Sequence, residues 1–142
     1  MPMIDVYATA GTFTDRRTLA KDIANAVMRW EKVPPIALFS CNTAAFIHEM
    51  PRGTMANVDG DENYVRVQVL TNTGALDRDK QLALVTQLTE LVATAAKDPE
   101  LRKRTWVLLT EATPGGWGLW GRAHTNEELV TAARAEMARL RG

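Results

Sequence analysis

Pro2 directly follows Met1, and a residue this small in second place ordinarily permits removal of the initiator, so the mature chain is expected to begin with proline. A terminal proline nitrogen is a secondary amine, basic and held rigidly by its ring. Burial disfavours its charged form and a neighbouring cation does the same, so such an amine can take up and release protons near neutral pH. Residues that could line a site around it are the polar run Thr71-Asn72-Thr73, Trp106, the loop aromatics Trp117 and Trp120, and Arg122. Arg122 could bind a carboxylate, although an arginine at a loop end is more often solvated. His48 and His124 are isolated, with no partner at ligand spacing, and read as surface or satisfied histidines. The lone Cys41 cannot form an internal disulfide, has no Cys or His nearby at metal spacing, and reads as a small apolar core thiol. No metal site is expected.

The elements that must position these residues follow from periodicity. Ile4, Asp5, Val6, Tyr7 and Ala8 alternate as in a strand with one buried face. Gly11 breaks that pattern, Thr14 or Asp15 can cap a helix, and Leu19, Ile23, Val27 and Trp30 recur at helical spacing until Pro34 and Pro35 stop it. The stretch from Ile36 to Asn42 is ambiguous between turn and strand, and Ala44 to Glu49 reads as a second strand. A turn-rich loop spans Met50 to Glu62, after which Val65, Val67 and Val69 alternate with Arg66 and Gln68 in the strongest strand signal of the chain. Leu82, Val85, Leu88, Val92 and Ala95 then predict one face of a second helix, and Trp106 to Thr110 a fourth strand. A last helix, over about residues 125–141, begins at Thr125. Thr125 and Glu128 fit a capping box there, and Leu129, Ala133, Met137 and Leu140 line one side.

The two halves share this order, and Asp15 with Asp77, Glu49 with Glu111, and Gly53 with Gly115 repeat at the same offset, which points to a duplicated β-α-β unit over about residues 2–61 and 62–122. A crossover helix in each unit makes its two strands parallel. The expected architecture is therefore α/β (α+β): a four-stranded sheet with two helices on one face plus a C-terminal helix. Val65, Val67, Val69, Leu108 and Leu109 are too many for one helical layer to cover, so the second face is expected to pack on another subunit.

The chain has 142 residues, 46% of them hydrophobic and 24% charged, which is the mixture of one folded domain. Its 17 basic and 17 acidic side chains cancel, leaving no global field to attract nucleic acid or an anionic membrane surface. No apolar run approaches the ~18 residues that cross a bilayer, and the N-terminus lacks the basic flank of an export signal, so a cytoplasmic location is expected.

Pro2 leading into a strand, the duplication, and the sequence Thr110-Glu111, Gly115, Trp117, Gly118 and Gly121 after the fourth strand resemble the tautomerase superfamily over about residues 2–122. The resemblance implies a catalytic terminal proline, a homotrimer of fused two-unit subunits, a small carbonyl or enol substrate, and no cofactor. It makes Trp117 a wall of the pocket, and places the second unit's counterpart of Pro2 at Tyr64 or Val65, where no free amine exists. The departures are substantial. The anion-binding arginine of these enzymes falls at Thr12 or Phe13 and at Ala75, with Arg16, Arg17 and Arg78 a little later, and their strand arginine falls at Ala44 and Trp106. Likeness to the cis-3-chloroacrylic acid dehalogenases extends to chain length and to the Trp106-Val107 and Gly121-Arg122 pairs. Yet their water-activating glutamate would fall at Leu119, their tyrosine at Leu108 and their helix histidine near Val27. The chain thus reads as a tautomerase-like acid-base enzyme on a 2-oxo acid type of substrate, with Pro2 catalytic and Asn72, Trp106, Trp117 and Arg122 lining the site. The alternatives are a non-catalytic oligomer of the same fold and a dehalogenase or hydratase.

Overall fold

The computed structural model describes Met1–Gly142. A four-stranded sheet has the order β2-β1-β3-β4, built from β1 (Met3–Thr9), β2 (Ala44–Met50), β3 (Val65–Thr71) and β4 (Thr105–Glu111). Each β-α-β crossover yields a parallel pair, β1 with β2 and β3 with β4, while β1 and β3 meet antiparallel at the centre with Val6 opposite Val67. Helices α1 (Arg16–Glu31) and α3 (Arg78–Ala96) cover one face. Both start as their sequences require: the Asp15 carboxylate accepts from the Thr18 N–H at 3.0 Å, and the Asp77 carboxylate from the Lys80 N–H at 2.9 Å. The ambiguous stretch before β2 is the short helix α2 (Ala37–Ser40), and a 3₁₀ turn (Pro99–Arg104) precedes β4.

Strand alternation sorts the apolar residues differently from expectation in one respect. Val65, Val67 and Val69 all point to the helical layer, where they join Ile4, Val6, Leu19, Ile23, Leu84, Leu88 and Val92 in one fully buried core. One layer of helices does satisfy them, because their period of two keeps them on a single face. The open face instead carries Phe46, Leu70, Trp106 and Leu108, each between 38% and 50% exposed. Polar contacts sit among them: His48 Nε2 lies 2.6 Å from Asp5 Oδ1, and the Arg66 guanidinium lies over the Tyr7 ring at 4.6 Å.

Two further assignments are corrected. The α3 stripe runs through Leu84, Leu88 and Val92 and leaves Leu82 exposed, since four-residue steps, and not the spacing from Leu82, follow the sheet surface. Cys41 is exposed, because it follows the last residue of α2 while the preceding Leu38 and Phe39 turn inward.

Beyond β4 the chain forms a hairpin, β5 (Trp117–Leu119) and β6 (Arg122–His124), and then α4 (Asn126–Arg141). Trp120 and Gly121 form its two-residue turn with φ of 52° and 75°, the left-handed pair that suits a tight hairpin. Trp117, Leu129 and Ala133 pack with Met1, Ile36, Leu38 and Phe39 into a second core. The Glu136 carboxylate of α4 accepts from the Ala37 and Leu38 N–H groups at 3.0 and 3.2 Å, which ties α4 to the start of α2. Glu128 N–H donates to Thr125 Oγ1 at 3.1 Å, so Thr125 caps α4 as its sequence predicts.

In urea unfolding, Leu84→Ala is expected to cost about 2–5 kcal/mol through the cavity it leaves. Leu82→Ala is expected to stay within about 0.5 kcal/mol.

Candidate active site at the start of the first strand

Met1 and Pro2, at the start of β1, are both buried, and the second core closes over Met1. The Pro2 carbonyl accepts from the Ala44 N–H at 3.2 Å, which continues the β1–β2 ladder to the proline itself. Three elements converge on this point. The antiparallel register puts the end of β3 beside the start of β1, with Met3 opposite Leu70, and so delivers Thr71 and Asn72. Helix α1 runs back along the sheet, and its last residue, Glu31, arrives at the same level. Helix α4 closes the outer side, where Asn126 Nδ2 donates to the Thr73 carbonyl at 2.9 Å and Thr73 Oγ1 donates to the Ala112 carbonyl at 2.6 Å.

Glu31 is the site's one ionised side chain. Its side chain is only 3% exposed, and it carries two partners, one on each oxygen. The Met1 ammonium donates to Oε2 at 3.1 Å, and to Asn72 Oδ1 at 3.3 Å. The Thr71 hydroxyl donates to the other oxygen, Oε1. A carboxylate so deep persists only when its lone pairs and charge are matched in this way. Around the group lies a hollow of about 260 Å³ lined by Met1, Glu31, Phe39, Asn72, Ala75 and Leu129, among others, with no lysine or arginine.

Of the residues singled out from the sequence, the fold brings Pro2, Asn72 and Trp117 together at this end. Trp117 is buried in the same cluster as the Met1 side chain. Trp106 lies elsewhere in the chain: it pairs with Arg66, which pairs with Tyr7, so at ~3.3 Å per residue it stands roughly 16 Å along the sheet from Pro2. There it stacks on Tyr64 with ring centroids 4.7 Å apart and lines a separate hollow of about 290 Å³ with Tyr7, Met50, Met55 and Arg66. Arg122 is exposed on β6, and its Nε donates to Glu128 Oε2 at 3.1 Å. Arg16 pairs with Glu49 at the far end of α1, and Arg78 is exposed at the start of α3.

Glu31 is the functional residue that sequence reading passed over, and its signal was present. Leu19, Ile23 and Val27 advance by four along the buried stripe of α1, and the next step is Glu31, not Trp30. A charged residue on a core stripe is the pattern that marks a buried, paired group.

No family model matches the chain, and no curated protein matches it. Solved structures do. A member of the cis-3-chloroacrylic acid dehalogenase family called N1 superposes with a TM-score of 0.74 at 16% identity, over 96% of this chain and 94% of that one. The native fused 4-OT gives 0.69 at 18% identity, over 94% and 97%. A macrophage migration inhibitory factor-like protein from Entamoeba histolytica gives 0.68 at 15% identity, over 87% and 98%. The chain thus shares the fold of these structures over most of its length.

The hydrogen bond from Arg122 holds the Glu128 carboxyl below its ordinary range. Its stabilising contribution is present above the unfolded carboxyl pKa of about 4.3 and is lost as pH falls through the lowered folded value. Thermal melts between about pH 5 and pH 3 should therefore show the gap between wild type and Arg122→Ala closing as the pH drops.

Proposed function

We propose that the chain is a proline-dependent acid-base enzyme that interconverts the keto and enol forms of a small carbonyl compound, after loss of Met1. The observation that carries this reading is the burial of the chain's start inside a lined hollow. With Met1 removed, the amine belongs to Pro2, three covalent bonds back along the chain, at a position fixed by the β1–β2 ladder. A neutral ring nitrogen there can take a proton from the carbon next to a carbonyl and return it, while the Asn72 carboxamide, released from Met1, donates from Nδ2 to the enolate oxygen. Trp117 supplies the apolar floor that keeps water from the exchange.

A homotrimer fits the same reading. Structures of fused 4-OT proteins with this fold are described as symmetric and asymmetric trimers. The half-exposed Phe46, Leu70, Trp106 and Leu108 give this chain a sheet face suited to a second copy. No helix is long and apolar enough to cross a membrane, and the reading places the protein in the cytoplasm.

A second reading is favoured by Met1 itself, whose amine and side chain are fully accommodated. If it is retained, the Pro2 nitrogen is an amide and the protein is a non-catalytic member of the fold. Intact mass decides between the two, and loss of one methionine is expected. The tautomerisation of phenylenolpyruvate methyl ester, which carries no carboxylate, should then be faster with wild type than with Pro2→Ala by about 10²-fold or more, the usual contribution of a positioned acid-base group. Equal background rates would end the enzymatic reading.

A further inference from the structure

Met1 is the occupant from which the site's preference can be read. Its ammonium is held by Glu31 Oε2 at 3.1 Å and Asn72 Oδ1 at 3.3 Å, two acceptors and no competing donor. Its thioether arm, 2% exposed with the rest of the residue, lies among Ile36, Leu38, Phe39, Trp117 and Leu129. Glu31 is itself held in place by the Thr71 hydroxyl, so its carboxylate is built into the fold and does not depend on Met1 for its position. The hollow contains no cationic side chain to receive an anion.

We infer that the mature site binds a primary ammonium carried on a short apolar arm, with Glu31 as its counter-ion, and that it rejects carboxylates. The inference rests on the reading above that Met1 is removed, and it changes the substrate class from a 2-oxo acid to an amine-bearing or neutral carbonyl compound. A free carboxylate in this hollow would face the buried Glu31 charge at short range with only the Pro2 amine to offset it, an arrangement that low local polarity penalises. An ammonium replaces Met1 atom for atom. Its arrival also matches the Glu31 charge that otherwise favours a protonated Pro2, leaving the ring nitrogen neutral and able to act as a base.

The probe that tests this is 3-(methylthio)propylamine, which is Met1 without its carbonyl, set against 4-(methylthio)butanoate as the anion of similar shape. Calorimetric titration uses the full chain with Met1 removed, as wild type, Pro2→Ala, Glu31→Gln and Asn72→Asp. The amine should bind wild type and Pro2→Ala with similar affinity, and Glu31→Gln at least about tenfold more weakly, as expected when a hydrogen bond to a charged partner is lost. Asn72→Asp should bind it several-fold more tightly, and this variant decides the matter if Glu31→Gln does not fold. The butanoate should show no saturable binding to wild type. Unchanged amine affinity in the folded Glu31→Gln protein, weaker binding by Asn72→Asp, or tighter binding of the butanoate would overturn the inference. Activity is read separately: amine binding without Pro2-dependent tautomerisation removes the enzymatic reading and leaves the site. Pro2-dependent turnover without amine binding removes the inference alone.

Discussion

The placement of β1 between β2 and β3 constrains everything at this end of the molecule. The ladder to β2 runs up to Pro2 and the second core closes over Met1, so the amine of Met1 is buried and must find a counter-charge. Glu31 is that charge. A buried ion pair of this kind is weak evidence for stability, because the desolvation of both groups offsets much of their attraction. Its retention is easier to understand if the carboxylate serves whatever amine or ligand occupies the hollow.

The C-terminal segment completes the same enclosure. A four-stranded sheet with two helices covers only its own core, and the start of β1 lies at the rim of that layer. The hairpin brings Trp117 across the rim, α4 lays Leu129 and Ala133 on it, and Glu136 caps α2 from the other side. The second core is thus assembled from segments far apart in sequence, all meeting at Met1. The hollow is lined by Ala75 and no lysine or arginine, and the single charged group that does reach it is negative.

Much of this was legible before any coordinates. The Val-x-Val-x-Val alternation, the Asp15 cap and the Thr125 cap each depend on local physics, and each element formed where its pattern indicated. Of the five residues expected to make the second face apolar, Leu108 lies on it, whereas the alternation of the three valines puts them all on the helical side. The hairpin was missed because Trp-Gly is not among the usual turn pairs, and α2 because four residues carry too little periodicity. Pro2, Asn72 and Trp117 lie at one end of the sheet, whereas Trp106 and Arg122 lie elsewhere within the chain. Glu31 needed only strict four-residue steps from Leu19, but a charged residue at a helix end is usually read as the solvated face.

The most direct measurement is the ¹⁵N titration of the terminal proline nitrogen in mature protein labelled at proline, compared between wild type and Glu31→Gln. If the chain's start lies beside the buried carboxylate, removing that negative charge disfavours the ammonium, and the Pro2 titration must move to lower pH in the variant. A proline nitrogen that titrates identically in both proteins, at the value of a solvated terminal amine, would contradict the account.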